Sequence, residues 1–491
     1  MAATAATASD EEVLGSAIIQ NSSVYSAADL FSEYHPFLGK AVTKETATQI
    51  AEAIRERYRR DGYSRPGYRV ANNGMTSGIV RIQLIEPSIS DVRHSGKSGP
   101  HQQRLDALFD ELSSERSLRP VDIRDLISQA KRLPGLDVNI TTTPDENVPG
   151  GYVLEVDSDY QAINGSLTYT NRGTQQIGRN LVFGRIASNG LLGDDNILGM
   201  FLATAGNPND YSSGGAYFRA PVGERGANAL LQGSMSKIQV VSSGVLVDQD
   251  RERYIADLSR PLRSGKNRQL TLRGALEIDD LDVYHDGVLA REDRLRTIEV
   301  ASTVSWRGSK RQHLLTAEAE VGLAVMGSRL DNFVNPDDGR REDFVIVRFH
   351  YVDLTPLTQR WNLRIDSYAQ YSPHLLPSIR QFKVGGGRIG RGFDAAAVRG
   401  DRGLGAKAEL RGTLPLAARW YDRVEAYGFY DIGGAWNRAG GGRESAASAG
   451  VGLAVRGNLL SGYLEVAQPL THADADGERE PGLFVELTGQ F

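Results

Sequence analysis

The chain has 491 residues, enough for more than one domain, with a formal net charge of -5 and no cysteine. So mild a charge predicts neither nucleic-acid binding nor a polybasic membrane patch, and the absence of thiols excludes disulfides, Cys-based metal sites and thiol catalysis. No stretch approaches the roughly 20 apolar residues that a membrane-spanning helix needs.

The first residues, MAATAATASDEEVLGSA, have neither a basic n-region nor an apolar h-region, so they do not read as a signal peptide. Residues 1–14 are taken as an N-terminal extension of a mature or trimmed form. Residues 15–86 then read as one α+β unit. AIIQNSSVYS is a strand, and Ser26 is placed to cap a short helix through Leu30 and Phe31. Thr43 starts a longer helix whose apolar positions, Ala47, Ile50, Ala51, Ile54 and Tyr58, share one face; Asp61-Gly62-Tyr63 ends it. Strands are expected near Arg65–Ala71 and Ile79–Ile85, with Asn72-Asn73-Gly74 in the turn.

Residues 87–158 repeat the plan. Ser88–Val92 is a strand, and a helix carries Leu105, Leu108, Phe109 and Leu112. Pro120 sits at a first helical position ahead of Ile123, Leu126, Ile127, Ala130 and Leu133. Pro134-Gly135 stops that helix, and strands near Leu136–Thr142 and Tyr152–Val156 complete the unit. Strand-helix-helix-strand-strand, twice, is a tandem repeat. Through YSAADL, LGK with VT after it, RERYRRDGY, and the LPG that follows Arg132, this region resembles POTRA domains, the periplasmic modules of outer-membrane secretion and assembly barrels. The resemblance implies capture of unfolded substrate along an exposed strand edge.

From residue 159 to 491 the chain alternates with period two. Val345, Val347, Phe349 and Tyr351 oppose Ile346, Arg348 and His350; Trp361, Leu363, Ile365, Ala369 and Tyr371 oppose Asn362, Arg364, Asp366, Tyr368 and Gln370. Leu483, Val485, Leu487 and the terminal Phe491 oppose Phe484, Glu486, Thr488 and Gln490. The polar set is too charged for a packed core and is assigned to a lumen, which predicts a transmembrane antiparallel β-barrel of about sixteen strands. A mean hydropathy of -0.35 suits such a barrel, because lipid-facing and lumen-facing residues average out. Short turns are expected near Pro221–Arg225, Pro261–Asn267, Arg307–Arg311, Thr355–Thr358 and Gly457–Gly462. Long loops are expected near Gln239–Arg251, Asp279–Arg294, Gly327–Asp343, Ser372–Arg402 and Thr471–Pro481. The two classes alternate, so short turns, the N-terminal modules and Phe491 share the periplasmic side. The acidic pairs Asp279-Asp280 and Asp337-Asp338 are read as solvated loops rather than calcium sites.

The longest loop holds two overlapping motifs. Gly385, Gly387 and Gly390 form a G-x-G-x-x-G, but no βαβ pattern surrounds it, which argues against a dinucleotide site. Arg391-Gly392-Phe393 resembles the tip motif of the POTRA-barrel transporter superfamily, with Gly385-Gly386 before it and Gly400-Asp401-Arg402-Gly403 and Glu409-Leu410 after it. Gly390 stands where that family has an aliphatic residue, a departure expected to loosen the tip's packing. The family's partner motif, aromatic-x-Asp-x-Gly, is matched by Phe429, Asp431 and Gly433, which alternation turns toward the lumen while Ile432 faces lipid. A guanidinium in a narrow lumen needs a carboxylate, and Arg offers it a planar fork. Gly433 leaves room for the loop backbone.

Two POTRA-like modules and about sixteen strands together resemble the transporters of two-partner secretion, the haemolysin and adhesin secretion type. That resemblance implies a pore that takes an unfolded, secreted exoprotein from the periplasm through the barrel, with no ATP, cofactor, metal, nucleic acid or catalytic residue. It further implies a monomer set in outer-membrane lipid by the barrel assembly machinery, with Phe491 as the C-terminal assembly signal. Only some fourteen residues precede the first module, so no plug helix is assigned. The alternative within the superfamily is an assembly factor that inserts other barrels, which usually carries more or differently arranged modules. A soluble β-rich enzyme is the third class; G-x-S-x-G and H-E-x-x-H are both missing and the 8 His are scattered.

Overall fold

The structure, a computed structural model, describes residues 12–491 except 115–116, 194, 224–225, 266, 337, 417–420, 439–441 and 472–478. The chain divides after Ala162 into two compact units.

In the first unit, β1 (Ser16–Gln20), α1 (Phe31–Tyr34), α2 (Lys44–Arg60), β2 (Gly67–Thr76) and β3 (Ile79–Ile85) build a three-stranded sheet in the order β1-β3-β2. Thr43 Oγ1 accepts from the Thr46 amide at 3.1 Å and starts α2. The expected apolar face of α2 is wholly buried, with Ala47, Ile50, Ala51, Ile54 and Tyr58 packed on Val80, Ile82 and Leu84. The Tyr58 hydroxyl donates to Glu86, whose carboxylate also accepts from the Ser23 amide at 3.0 Å. Burial first, and Glu86 second, hold that phenol above its ordinary pKa.

Two local expectations are corrected. Ser26 Oγ accepts from the Asp29 amide within a turn, and α1 begins after it without a side-chain cap. Asn72-Asn73-Gly74 lies inside β2, where the register with β3 shifts between Val70 and Met75; the reversal comes at Ser77-Gly78, both at positive φ.

β4 (Ser88–Gly96), α3 (Gln102–Ser114), α4 (Pro120–Ala130), β5 (Leu136–Pro144) and β6 (Gly151–Tyr160) repeat the arrangement, with sheet order β4-β6-β5. β4 runs past the expected Val92 because its parallel pairing with β6 continues from Arg93 to Gly96. Leu105, Phe109, Leu112, Leu126 and Ala130 form the helical side of the core. Each sheet leaves two edge strands, β1 and β2 in one and β4 and β5 in the other.

The second unit is a barrel. Its first seven strands are β7 (Ile163–Thr170), β8 (Leu181–Asn189), β9 (Ile197–Ala205), β10 (Tyr211–Val222), β11 (Ala227–Ser242), β12 (Val245–Gly265) and β13 (Arg268–His285). β14 (Val288–Arg307), β15 (Gln312–Gly322), β16 (Arg329–Asn332), β17 (Val345–Pro356) and β18 (Trp361–Tyr371) follow. A hairpin, β19 (Phe382–Val384) and β20 (Val398–Gly400), lies within the long loop and forms its own sheet. β21 (Arg402–Leu414), β22 (Arg423–Trp436), β23 (Arg443–Arg456), β24 (Leu460–Pro469) and β25 (Gly482–Gln490) finish the wall. Seventeen strands lie in the closed order; β16, four residues long, pairs with β14 beyond the end of β15, and the other sixteen make the wall. β25 closes on β7, pairing Glu486–Gln490 with Thr170–Ser166, and Phe491 extends the seam by exchanging backbone hydrogen bonds with Gly165.

Apolar side chains such as Met200, Leu276, Val300, Phe349, Ile432, Val451 and Leu487 are exposed outside, whereas Asp279, Glu320, Asp366, Glu409, Asp431 and Glu465 are buried inside. That inversion of a soluble protein is what a membrane barrel requires.

Two expected long loops are corrected. Around Gln239–Arg251 and Asp279–Arg294 the chain stays in strand, and the reversals are the tight turns Ser243-Gly244 and Asp286-Gly287, both residues at positive φ. β12 alone has 21 residues, about twice what a bilayer crossing needs. The charges that suggested loops are cross-strand pairs instead. Asp279 is fully buried and takes a bidentate bond from Arg251 at 2.7 Å, and Asp280 pairs with Arg296. Asp279 is therefore lumenal wall, and Asp280, next along the strand, pairs on the opposite face; neither is a solvated loop. Asp337 lies outside the described residues; Asp338 is held by Arg340 and Asn332.

Candidate functional site

The long loop between β18 and β21 turns back into the lumen, and its residues divide by face. Phe382, Val384, Val398 and Ile389 are buried against Ala435 and Ala446 of the wall. Glycines on the wall make the seat. A Cβ on Gly433 would stand 2.8 Å from Val384 Cγ2, and one on Gly405 would collide with Ile389. Gly385, Gly386 and Gly390 all have positive φ and serve the tight turn at the tip, where the Gly385 amide donates to the Ile389 carbonyl at 2.8 Å. The expected loosening at Gly390 does not occur. Ile389, one residue earlier, is 1% exposed and supplies the aliphatic contact, while Gly390 adopts a backbone conformation that an aliphatic residue disfavours.

Arg391 is brought onto Asp431. Nε donates to Oδ2 at 2.9 Å and Nη2 to Oδ1 at 3.0 Å, and the Arg391 amide adds a third bond to Oδ2 at 3.1 Å. Nη1 reaches Glu409 of β21 at 2.9 Å and Glu465 of β24 at 3.1 Å. Phe429 lies beneath, its ring centroid 3.4 Å from the guanidinium carbon. Gly392 permits the approach, since a Cβ there would meet the Pro469 nitrogen at 2.9 Å. Phe393 packs on the apolar cluster of the hairpin. Phe491 is remote from this group, at the seam.

Sequence reasoning missed several members of the assembly. Glu409 and Glu465 accept from Arg391, and each is shared: Arg411 holds Glu409, and Arg172, just after β7, holds Glu465. Arg172 also donates to the Arg391 carbonyl at 3.3 Å, and Asp394 of the tip accepts from the Gln175 amide at 3.0 Å. A second bolt stands across the lumen. Arg380, 8% exposed, reaches Glu277 at 2.7 Å, Asp279 at 3.1 Å and Glu320 at 2.8 Å, on β13 and β15. For Glu320, Glu409 and Glu465 the available signal was alternation, since each falls on a lumenal position of a strand whose other face is apolar; at Glu277 and Asp279 the other face of β13 turns polar and that signal fades.

A family model described as haemolysin secretion/activation protein ShlB/FhaC/HecB matches residues 153–456, and a ShlB-type POTRA domain model matches residues 17–87. The chain belongs to the haemolysin secretion/activation family. Curated relatives of this family member include the outer membrane transporter CdiB of Escherichia coli O6:K15:H31, 22% identical over 89% of this chain and 76% of that one. The CdiB of Dickeya dadantii is 21% identical over 76% and 67%. Among solved structures, CdiB from Escherichia coli superposes with a TM-score of 0.76 at 19% identity, covering 100% of this chain and 92% of that one. CdiB from Acinetobacter baumannii gives 0.66 at 15%, covering 98% and 90%. BamA from Haemophilus ducreyi lacking POTRA domains 1–3 gives 0.55 at 14%, covering 98% and 100%. The family member is a two-partner secretion pore of the outer membrane, with its N-terminal modules in the periplasm.

Proposed function

We propose that the two modules, residues 15–86 and 87–158, capture an unfolded exoprotein along an exposed edge strand and feed it to the barrel of residues 159–491, whose lumenal loop must be held in place for passage. The observation that carries this reading is a charged lumen crossed by a loop bolted at Arg391, inside a barrel whose family secretes proteins. Edge strands β1, β2, β4 and β5 leave backbone donors and acceptors unpaired within their sheets, the chemistry that β-augmentation uses. The reading assigns no catalytic step, ATP or cofactor to transport, and places the pore as a monomer surrounded by lipid. Phe491, aromatic and outward at the seam, is the end that the barrel assembly machinery would grip during insertion. Deleting residues 15–158 tests the capture role. The truncated barrel should fold, judged by heat-modifiable gel migration, and secrete no exoprotein; undiminished secretion would make the modules spacers.

A further inference from the structure

The long loop is basic, and only part of that charge serves to fix it. Between Ser372 and Arg402 it carries six cations, Arg380, Lys383, Arg388, Arg391, Arg399 and Arg402, against two acids, Asp394 and Asp401. Arg380 and Arg391 are the two bolts described above, and Arg402 donates to the Ser372 carbonyl at 2.9 Å. Asp394 is taken by Arg179, and Asp401 by the backbone amides of Leu376 and Arg438.

Lys383, Arg388 and Arg399 remain. Among the described residues none of these three has an ion-pair partner. Arg388 lies over the Tyr368 ring at 5.5 Å, and Arg399 Nε donates to the Ala396 carbonyl at 3.1 Å. Lys383 and Arg399 are register partners across the β19–β20 hairpin, and both are exposed, while their neighbours Phe382, Val384, Val398 and Gly400 are buried on the other face. Like charges directly opposite on a strand pair are destabilising. A local rule broken without a compensating carboxylate points to function rather than to folding. All three cations border one lumenal cavity of about 740 Å³, whose far wall includes Thr316, Glu318 and Arg348. Glu318, the acid on that wall, is already paired with Arg348.

We propose that this hairpin face is an anion-binding surface of the lumen, which takes carboxylate-rich stretches of the polypeptide in transit. The assignment of the occupant rests on the secretion reading; the charge of the surface does not. A narrow lumen with low-dielectric walls focuses the field of three unneutralised cations, so small ions should report it as well as peptides.

The test uses the full chain in a planar lipid bilayer, with reversal potential measured under a KCl gradient and current block measured with oligoglutamate or oligolysine. The wild type should prefer chloride over potassium and be blocked by oligoglutamate. Lys383→Gln with Arg388→Gln and Arg399→Gln should lose the chloride preference and need about tenfold more oligoglutamate for half block. Lys383→Gln alone should fall between the two. These changes relieve repulsion, so the barrel should fold, which heat-modifiable migration checks. An unchanged reversal potential in both variants, or oligolysine blocking as well as oligoglutamate, would overturn the proposal. A chloride-selective wild-type pore that secretes no exoprotein would instead overturn the secretion reading and leave the anion surface standing.

Discussion

Arg391 is shared by three buried carboxylates, and that asymmetry decides what its loss does. Removing it leaves Asp431 without a cation and takes one of two cations from Glu409 and Glu465, which keep Arg411 and Arg172, whereas removing Asp431 leaves the guanidinium two other acceptors. Breaking a buried pair costs about 3–5 kcal/mol, less where water reaches the site. Arg391→Ala should therefore impair secretion more than Asp431→Ala, and the double variant should be little worse than Arg391→Ala alone; fully additive losses in a double-mutant cycle would contradict the pairing. Arg391→Lys should not rescue, because a point charge cannot fork onto Asp431 and still reach Glu409 and Glu465. Arg380 is a separate anchor on the opposite wall. Arg380→Ala should open the segment between Ser372 and Asp401 to proteolysis while the barrel keeps its heat-modifiable migration; a loop as resistant as in the wild type would show that the second bolt is idle. Arg391, Asp431 and Gly433 were legible because short motifs carry them. Arg380 and Glu465 were not, since an isolated charge on a lumenal position looks the same whether a loop residue reaches it or water does.

At the scale of elements, alternation was the readable signal. It separated the two faces of β17, β18 and β25 residue by residue, and helical spacing did the same for α2 and α4. It failed where both faces of a strand become polar. β11 to β14 continue beyond the length a bilayer needs, and there the pattern of charge mimics a loop. What distinguishes strand from loop in that region is pairing between distant residues, such as Arg251 with Asp279 and Arg294 with Asp282, which no local window contains. The lipid-facing assignment has a direct consequence. Phe349→Lys, on the exposed face in the middle of β17, should destabilise the barrel by about 2–4 kcal/mol at mid-bilayer depth, whereas Asn362→Lys on the lumenal face of β18 should be nearly neutral. Equal effects in a folding titration would contradict the orientation of the wall.

For the whole molecule, the plan of two α+β modules followed by a barrel was legible because a tandem repeat and a run of alternating strands are both periodic over long stretches. The path of the loop through the lumen was not, because it depends on glycine seats on β21 and β22 that have no periodicity. An unfolded exoprotein is expected to pass through this lumen, beside the loop. The chain has no cysteine, so single thiols can be placed without background and trapped as disulfides with a stalled, cysteine-bearing exoprotein. Thr316→Cys, on the wall of the lumenal cavity, should form the mixed disulfide, and Val300→Cys, exposed on the outer face, should not. Trapping at Val300→Cys with none at Thr316→Cys would contradict passage through the lumen.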